Sequence, residues 1–352
     1  MNLIDKIKSG DFNFEDAVKL YDLDLFILGE EANKIREKKF GKKTYFNINR
    51  HINPTNICKD ICKFCAFSAN RKNPNPYTLS IKECVDIAKN AYKKGAKEVH
   101  IVSAHNPEVG YDYYMNIVKA IRKELPDIHI KAFTAAEVNF LSELGGKNYE
   151  EVLDDMIEAG VDSMPGGGAE IFDEEIRNKI CKGKVSSKNW LKIHELWHKR
   201  GKKSNVTMLF GHIENRAHRI DHILRIRKLQ EKTGGFNAFI PLVYQRENNY
   251  LQVKNFLTGV EILKTMAISR ILLENIPNIK AYWVTTTLNL SLVAQSYGAN
   301  DIDGTIQRES INSAAGAASR NGLDLNELVS LIKDSGYIPV ERDSLYNEIK
   351  IY

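Results

Sequence analysis

Three cysteines stand within one short stretch, Cys58-Lys59-Asp60-Ile61-Cys62-Lys63-Phe64-Cys65. Thiolates at C-x3-C-x2-C spacing on a loop can converge on one iron–sulfur cluster. A cubane of four irons normally takes four cysteines, so three local ones leave one iron with an open position. That is what a catalytic metal needs and an electron carrier does not. A zinc site would want paired knuckles with a fourth ligand at a regular distance, and none is evident. A non-catalytic cluster would want a fourth cysteine nearby. Cys84 and Cys181 stand alone and read as structural. Phe64, just before the third cysteine, is placed to pack over a ligand's ring or to shield the cluster.

A second candidate is Met164-Pro165-Gly166-Gly167-Gly168-Ala169-Glu170. Three glycines permit close backbone approach to a ligand. The run is neither a Walker motif nor G-x-G-x-x-G, and the carboxylate of Glu170 suits the paired hydroxyls of a ribose. Its bland alternative is a tight strand-to-helix turn. His194-Glu195-Leu196-Trp197-His198 matches the zinc-protease pattern H-E-x-x-H. It falls in a helix on the outer ring with no third ligand in view, so a partly exposed amphipathic helix is expected instead. His212, His218 and His222 form another group, of which only His212, at a strand end, is expected to face a pocket.

The elements that must position these residues follow from periodicity. β-branched and aromatic runs at 44–52, 98–102, 128–134, 162–164, 204–210, 236–243, 280–286 and 301–306 read as strands. Amphipathic stretches at 81–94, 113–125, 149–159, 189–200, 218–232 and 259–274 read as helices between them. Alternation of this kind predicts an α/β fold, a parallel (β/α)8 TIM-type barrel, with a doubly wound open sheet as the alternative. Active-site residues then belong at the C-terminal ends of strands, where both the cysteine run and the glycine turn fall. Residues 1–42 read as an N-terminal helical cap, and 43–352 as the barrel with C-terminal helices.

The chain has 352 residues, 43% hydrophobic and 27% charged, enough for a large buried core. Its net charge of +5 is interspersed rather than clustered, so no nucleic-acid partner is expected. No apolar run is long enough for a membrane span, and closely spaced reduced thiols point to the cytoplasm.

These residues together resemble the radical S-adenosylmethionine (SAM) superfamily and, within it, the aminodeoxyfutalosine synthase family of menaquinone biosynthesis by the futalosine route. The resemblance rests on His51-Ile52-Asn53-Pro54-Thr55-Asn56, Lys131-Ala132-Phe133-Thr134-Ala135-Ala136-Glu137, the glycine turn, and Asn205–Glu214. Thr233–Leu242 and Gly298–Thr305 carry it further. The sister cyclase that acts on dehypoxanthine futalosine shares the glycine turn and the Thr-Gly-Gly-Phe run, and is the alternative. A non-catalytic metal-binding barrel is the remote one. Relatives often carry glycines after the second strand, where this chain has Ser103-Ala104-His105-Asn106-Pro107.

The resemblance implies a [4Fe-4S] cluster on Cys58, Cys62 and Cys65, with SAM consumed as cosubstrate. The 5′-deoxyadenosyl radical would add to 3-[(1-carboxyvinyl)oxy]benzoate, giving 6-amino-6-deoxyfutalosine, bicarbonate and methionine. A one-electron reductant such as flavodoxin or ferredoxin is the implied partner. Phe64, Gly166, Gly167, Gly168, Glu170, Arg177 and Lys184 are then the candidates for cosubstrate binding. His51, His212 and Glu137 are the catalytic candidates, and Asn53, Thr134 and Arg246 the substrate-binding ones.

Overall fold

The structure, a computed structural model, describes residues 3–70, 72–254, 256–306, 309–317 and 322–352. The strands are β1 (Lys43–Asn47), β2 (Asn49–Ile52), β3 (Glu98–Ile101), β4 (His129–Lys131), β5 (Ser163–Met164) and β6 (Lys203–Phe210). They continue with β7 (Phe236–Val243), β8 (Asn278–Ile279), β9 (Asp301–Gly304), β10 (Ile338–Arg342) and β11 (Glu348–Ile351). From β2 to β8 they form one seven-stranded parallel sheet in chain order. The connecting helices cover its outer face, because alternate residues point to opposite sides of a strand. On β3, Val99 and Ile101 join the hydrophobic core, while Glu98 and His100 face polar partners inside the curl.

The expected barrel is present, with its first strand divided. The stretch 44–52 breaks at Ile48 into β1 and β2, and β1 belongs to a second sheet of order β11-β10-β1-β9. β9 runs parallel to β1, with Asp301 opposite Tyr45, and Lys280 just beyond β8 bridges Asp301. The Asn300 amide donates to the Ile279 carbonyl at 3.0 Å, and the Ala281 amide to the Asp301 carbonyl at 2.8 Å. β9 thus sits between β8 and β1 and brings the two ends of the curl together.

Three elements differ from expectation. The β-branched run 280–286 is a strand only at its edge. Trp283–Thr286 is a helical turn, where the Trp283 indole donates to the Gly304 carbonyl at 2.9 Å. Ala135–Gly145, unassigned by periodicity, is a helix capped by a Thr134–Glu137 capping box and ended by left-handed Gly146. The C-terminal part holds the helix Leu325–Asp334 but finishes as the β10–β11 antiparallel hairpin, not in helices. That hairpin closes the lower end of the barrel: Arg342 pairs with Asp301 at 2.6 Å, and the Ser344 hydroxyl donates to the Glu98 carboxylate.

The N-terminal helices lie on the flank: Leu3–Lys8 and Leu25–Phe40 pack against the helix Gly259–Leu272, and Phe14–Lys19 against the helix Arg216–Thr233. Lys264 donates to the Tyr21 and Leu23 carbonyls at 2.8 and 2.6 Å. Arg36 ties the third helix to the barrel through the Ala299, Gly41 and Lys43 carbonyls. Among the described residues no helix is long and apolar enough to cross a membrane.

Candidate active site

The C-terminal ends of the strands open on a cavity of about 290 Å3. Cys58, Cys62 and Cys65 all line it, each half-buried and free of disulfides. Their loop is fixed from both sides. The Lys59 amide donates to the His105 carbonyl at 2.9 Å, the His105 amide to Cys58 Sγ at 3.4 Å, and the Lys63 amide to the Ile180 carbonyl at 2.8 Å. Upstream, the Asn56 amide group bridges the Tyr77 amide and the Asn75 carbonyl. His105 is itself locked: Nδ1 lies 2.9 Å from Asp60, and its ring stacks on Phe140 at 4.9 Å. Cys58, Asp60 and His105 therefore converge within 4.8 Å, but the imidazole nitrogen facing Asp60 is already engaged by it. Burial raises the Cys84 thiol to about 12 and the Cys181 thiol to about 11, and neither lines the cavity. Both have the character of inert core thiols.

The glycine turn forms the opposite wall. Thr207 donates to the Gly166 carbonyl at 2.7 Å, and the Trp190 indole to the Gly167 carbonyl at 3.1 Å. A Cβ on Gly166 would lie 2.6 Å from the Val206 Cα, and Gly168 holds φ +82° with Ala136 beside it. Glu170 follows with φ +46°, a left-handed backbone on a non-glycine residue. Such conformations cost about 1–3 kcal/mol and persist where the surroundings enforce them. Its carboxylate meets Lys184 at 2.6 Å, and the Lys184 ammonium sits 5.6 Å over the Phe64 ring. Burial pushes Glu170 up, but Lys184 beside it wins and holds it below the usual carboxylate range.

Phe64, Gly166, Gly167, Gly168, Glu170 and Lys184 are thus brought onto one cavity with the three cysteines, and His51, Asn53 and Thr134 line the same space. Four sequence candidates fall outside that lining. Arg177 is buried behind the glycine turn and spends its guanidinium on the carbonyls of Gly168, Ala169, Ile171 and Val185. Glu137 accepts the Thr134 and Ser103 amides, both at 2.7 Å, and so ties the turn after β3 to the helix that begins beside the glycines. Burial pushes its carboxyl up to about 7 despite those two donors. His212 bends back to the Leu209 carbonyl at 3.1 Å, with Glu214 at 3.1 Å on its other nitrogen. Arg246 lies over the Phe256 ring at 3.9 Å and donates to the Val253 carbonyl. A rim position in the sequence carried no information about where these long or hinged side chains point.

Other lining residues had no sequence prediction: Asp60, His100, Asn205, Thr207, Gln245, Tyr282, Asp303 and Glu309; Ser103, Ala104 and His105, from the loop after the second predicted strand, line it too. Period-two alternation in β3 and β6 marks His100, Asn205 and Thr207 as inward-facing polar residues, a signal available from the sequence.

The H-E-x-x-H helix, Ser187–Lys199, is not partly exposed at its histidines. His194 and His198 are buried and share the Ser204 hydroxyl at 2.9 and 2.8 Å, and His198 also meets Thr233 at 2.8 Å. Glu195 turns outward to Lys199 and Lys232, both at 3.0 Å. His222 is buried as well, its ring stacked on Phe172, while His218 closes a helix cap with Asn215. Burial, then Lys203, pushes His198 down to about 4, and burial takes His222 to about 3. These rings bind fewer protons folded than unfolded once the pH drops below the ordinary imidazole value. Their contribution is therefore fully present above about pH 6.5 and is lost as pH falls toward the folded values, by up to about 1.4 kcal/mol per unit for each ring. Thermal melts across this range should show Tm falling steadily with acid, and added zinc should leave Tm unchanged.

Comparison with known proteins gives the chain its relatives. The radical SAM superfamily profile matches residues 52–226, and the CofH/MqnC C-terminal region matches residues 233–351. The chain is 42% identical to the aminodeoxyfutalosine synthase of Thermus thermophilus, covering 99% of this chain and 96% of that one. It is 39% identical to the aminodeoxyfutalosine synthase of Streptomyces coelicolor, covering 99% and 93%. A 5-amino-6-(D-ribitylamino)uracil–L-tyrosine 4-hydroxyphenyl transferase from Methanococcoides burtonii is 40% identical, covering 96% and 95%. Methylornithine synthase superposes with a TM-score of 0.76 at 18% identity, covering 96% of this chain and 97% of that one, a likeness of fold. By its sequence, the chain belongs to the radical SAM superfamily and, within it, to the aminodeoxyfutalosine synthase family.

Proposed function

We propose that the chain joins the 5′-deoxyadenosyl group of SAM to 3-[(1-carboxyvinyl)oxy]benzoate, yielding 6-amino-6-deoxyfutalosine, bicarbonate and methionine. The observation that carries this reading is the near full-length identity to two aminodeoxyfutalosine synthases. Cys58, Cys62 and Cys65 would hold a [4Fe-4S] cluster, since their free thiols border one cavity on a loop already fixed by neighbouring backbone. When bound, such a cluster supplies the electron that cleaves SAM to methionine and the 5′-deoxyadenosyl radical. A reductant such as flavodoxin or ferredoxin would deliver that electron, in the cytoplasm where thiols stay reduced.

The chain's own residues bind, orient and shield. Glu170 spends one oxygen on Lys184, leaving the other for ribose hydroxyls, and Phe64 offers an aromatic face on the same wall. The glycine turn, held from behind by Arg177, lets backbone approach the nucleoside closely. His51, Asn53 and Thr134 lie on the cavity wall, available to the substrate. Holding the radical carbon against the double bond is where most of the rate enhancement would come from. No residue from 3 to 42 lines the cavity, whose wall does include Tyr244, Gln245, Glu309, Ile311, Asn312 and Ala315.

Glu170→Gln should weaken SAM binding about tenfold, the cost of one hydrogen bond to a charged group, while leaving the cluster's absorption unchanged. Unaltered affinity would remove Glu170 from the cosubstrate site. The reaction itself is tested by anaerobic incubation of reconstituted protein with SAM and reductant in three arms. 3-[(1-carboxyvinyl)oxy]benzoate should give the adenosine adduct. Dehypoxanthine futalosine should give no cyclised product. L-Tyrosine with 5-amino-6-(D-ribitylamino)uracil should give no coupled product, an arm demanded by the 40% identity to the transferase above.

A further inference from the structure

His51 and His100 stand opposite one another in register on β2 and β3, their ring centroids 4.7 Å apart and their planes at 74°. Both line the cavity, and His51 also borders a side cavity of about 430 Å3 together with Asn53 and Phe67. The charged groups around the pair are already committed. Lys131 pairs with Glu98 at 2.6 Å and Lys280 with Asp303 at 2.9 Å. Glu309 spends its carboxylate on the amides of Ile311, Asn312 and Ser313. Lys184, across the cavity, is held by Glu170. The His100 ring is different: its Nε2 is buried and has no hydrogen-bond partner among the described residues.

A buried, unpartnered ring nitrogen in a ligand cavity calls for a partner from the ligand. Burial, then His51 and Lys131, pushes His100 well below the usual imidazole range, against Glu98 and Asp303. Burial likewise lowers His51, against Glu309, Asp303 and Glu98. Without ligand both rings are therefore neutral at neutral pH. An anion placed against them reverses the balance, because a nearby negative charge favours the imidazolium. A flat, two-oxygen acceptor matches a pair of ring N–H donors.

We propose that His51 and His100 form a carboxylate subsite, which binds one carboxylate of the substrate and takes up a proton with it. The proposal rests on reading the substrate as an aryl enol-ether dianion, and it names the groups that recognise that charge. Affinity then falls as the pH rises, because the proton that accompanies the carboxylate becomes harder to supply.

The test is calorimetric titration of the cluster-loaded, SAM-saturated protein with 3-[(1-carboxyvinyl)oxy]benzoate, without reductant, in buffers of different ionisation enthalpy. About one proton should be taken up per substrate bound near neutral pH. His100→Gln should weaken binding about tenfold, abolish most of the uptake and flatten its pH dependence. His51→Gln, measured in parallel, should do the same and guards against a folding defect in the first variant. 3-(Vinyloxy)benzoate and 2-phenoxyacrylate each lack one carboxylate, and the one that retains proton uptake identifies the group bound. A wild type that forms the adenosine adduct but binds without proton uptake would overturn the subsite and leave the reaction standing. Variants with wild-type uptake and affinity would do the same. A wild type that neither binds this substrate nor forms adduct would overturn the reaction, and the subsite with it.

Discussion

Cys62→Ala is expected to abolish methionine release altogether while the protein remains folded. Cys62 lies in the middle of the three-thiol loop, half-buried on the cavity wall, and its backbone helps close the turn through the Cys65 amide, which donates to the Cys62 carbonyl at 3.1 Å. Removing one sulfur leaves that backbone and both flanking anchors intact, and truncating a half-buried side chain of this size costs little stability. On the proposed assignment, what is lost is one of three local ligands, and two thiols cannot hold a cubane whose fourth iron already lacks one. Iron and sulfide analysis after anaerobic reconstitution should give about four irons per wild-type chain and a clear deficit in the variant. Cys84→Ala and Cys181→Ala, by contrast, should keep the full iron content. A fully loaded, active Cys62→Ala protein would mean that the ligands lie elsewhere.

Gly166→Ala should be nearly as damaging, for a different reason. The added Cβ would sit 2.6–2.7 Å from the Cα, carbonyl carbon and nitrogen of Val206. Those atoms belong to the middle of β6, paired along its length with β7, so no rotamer change can relieve the clash. The turn must move instead, taking with it the Gly166 carbonyl that Thr207 holds and the wall on which Glu170 stands. Overpacking of this kind costs about 1–3 kcal/mol. Tm should fall by several degrees, and SAM affinity should fall beyond measurement while iron content stays at the wild-type level. Gly259→Ala is the matched control: its nearest neighbour would be Leu290 Cδ1 at 3.9 Å, at the start of a helix that gains from alanine. It should be neutral or slightly stabilising.

The order of strands and helices was legible because most of them are amphipathic in the ordinary way. β3 alternates Glu98, Val99, His100, Ile101, and the helices at 81–93 and 149–159 carry capping boxes at Ser80 and Asn148. The cysteine run and glycine turn stood out as candidates because the chemistry proposed for them depends on spacing along the chain, and both segments line one cavity. What stayed hidden depends on partners far away in sequence. Residues 283–286 have the β-branched character of a strand, yet the Trp283–Gly304 contact places them in a helical turn. The first strand divides at Ile48 because its halves pair with different neighbours, β9 and β10 on one side of the break and β3 on the other. His194 and His198 match a metal-binding pattern but read as part of a partly exposed helix; Ser204, on the following strand, makes them core residues instead. His105 and Asp60 were invisible as a pair, since only the folded loop brings them within 2.9 Å. Arg177 and Glu137 sit at the right places in the chain, but their side chains support the site from behind.

The most direct measurement follows the two hydrogens on C5′ of the cosubstrate. Reconstituted protein is given SAM dideuterated at that carbon, 3-[(1-carboxyvinyl)oxy]benzoate and a one-electron reductant, and the products are analysed by mass spectrometry. Addition of the adenosyl carbon to the double bond predicts 6-amino-6-deoxyfutalosine carrying both deuteria, with methionine and bicarbonate released in equal amounts. Deuterium found only in 5′-deoxyadenosine, with no adenosine in any adduct, would mean that the radical abstracts hydrogen instead, and would contradict the account.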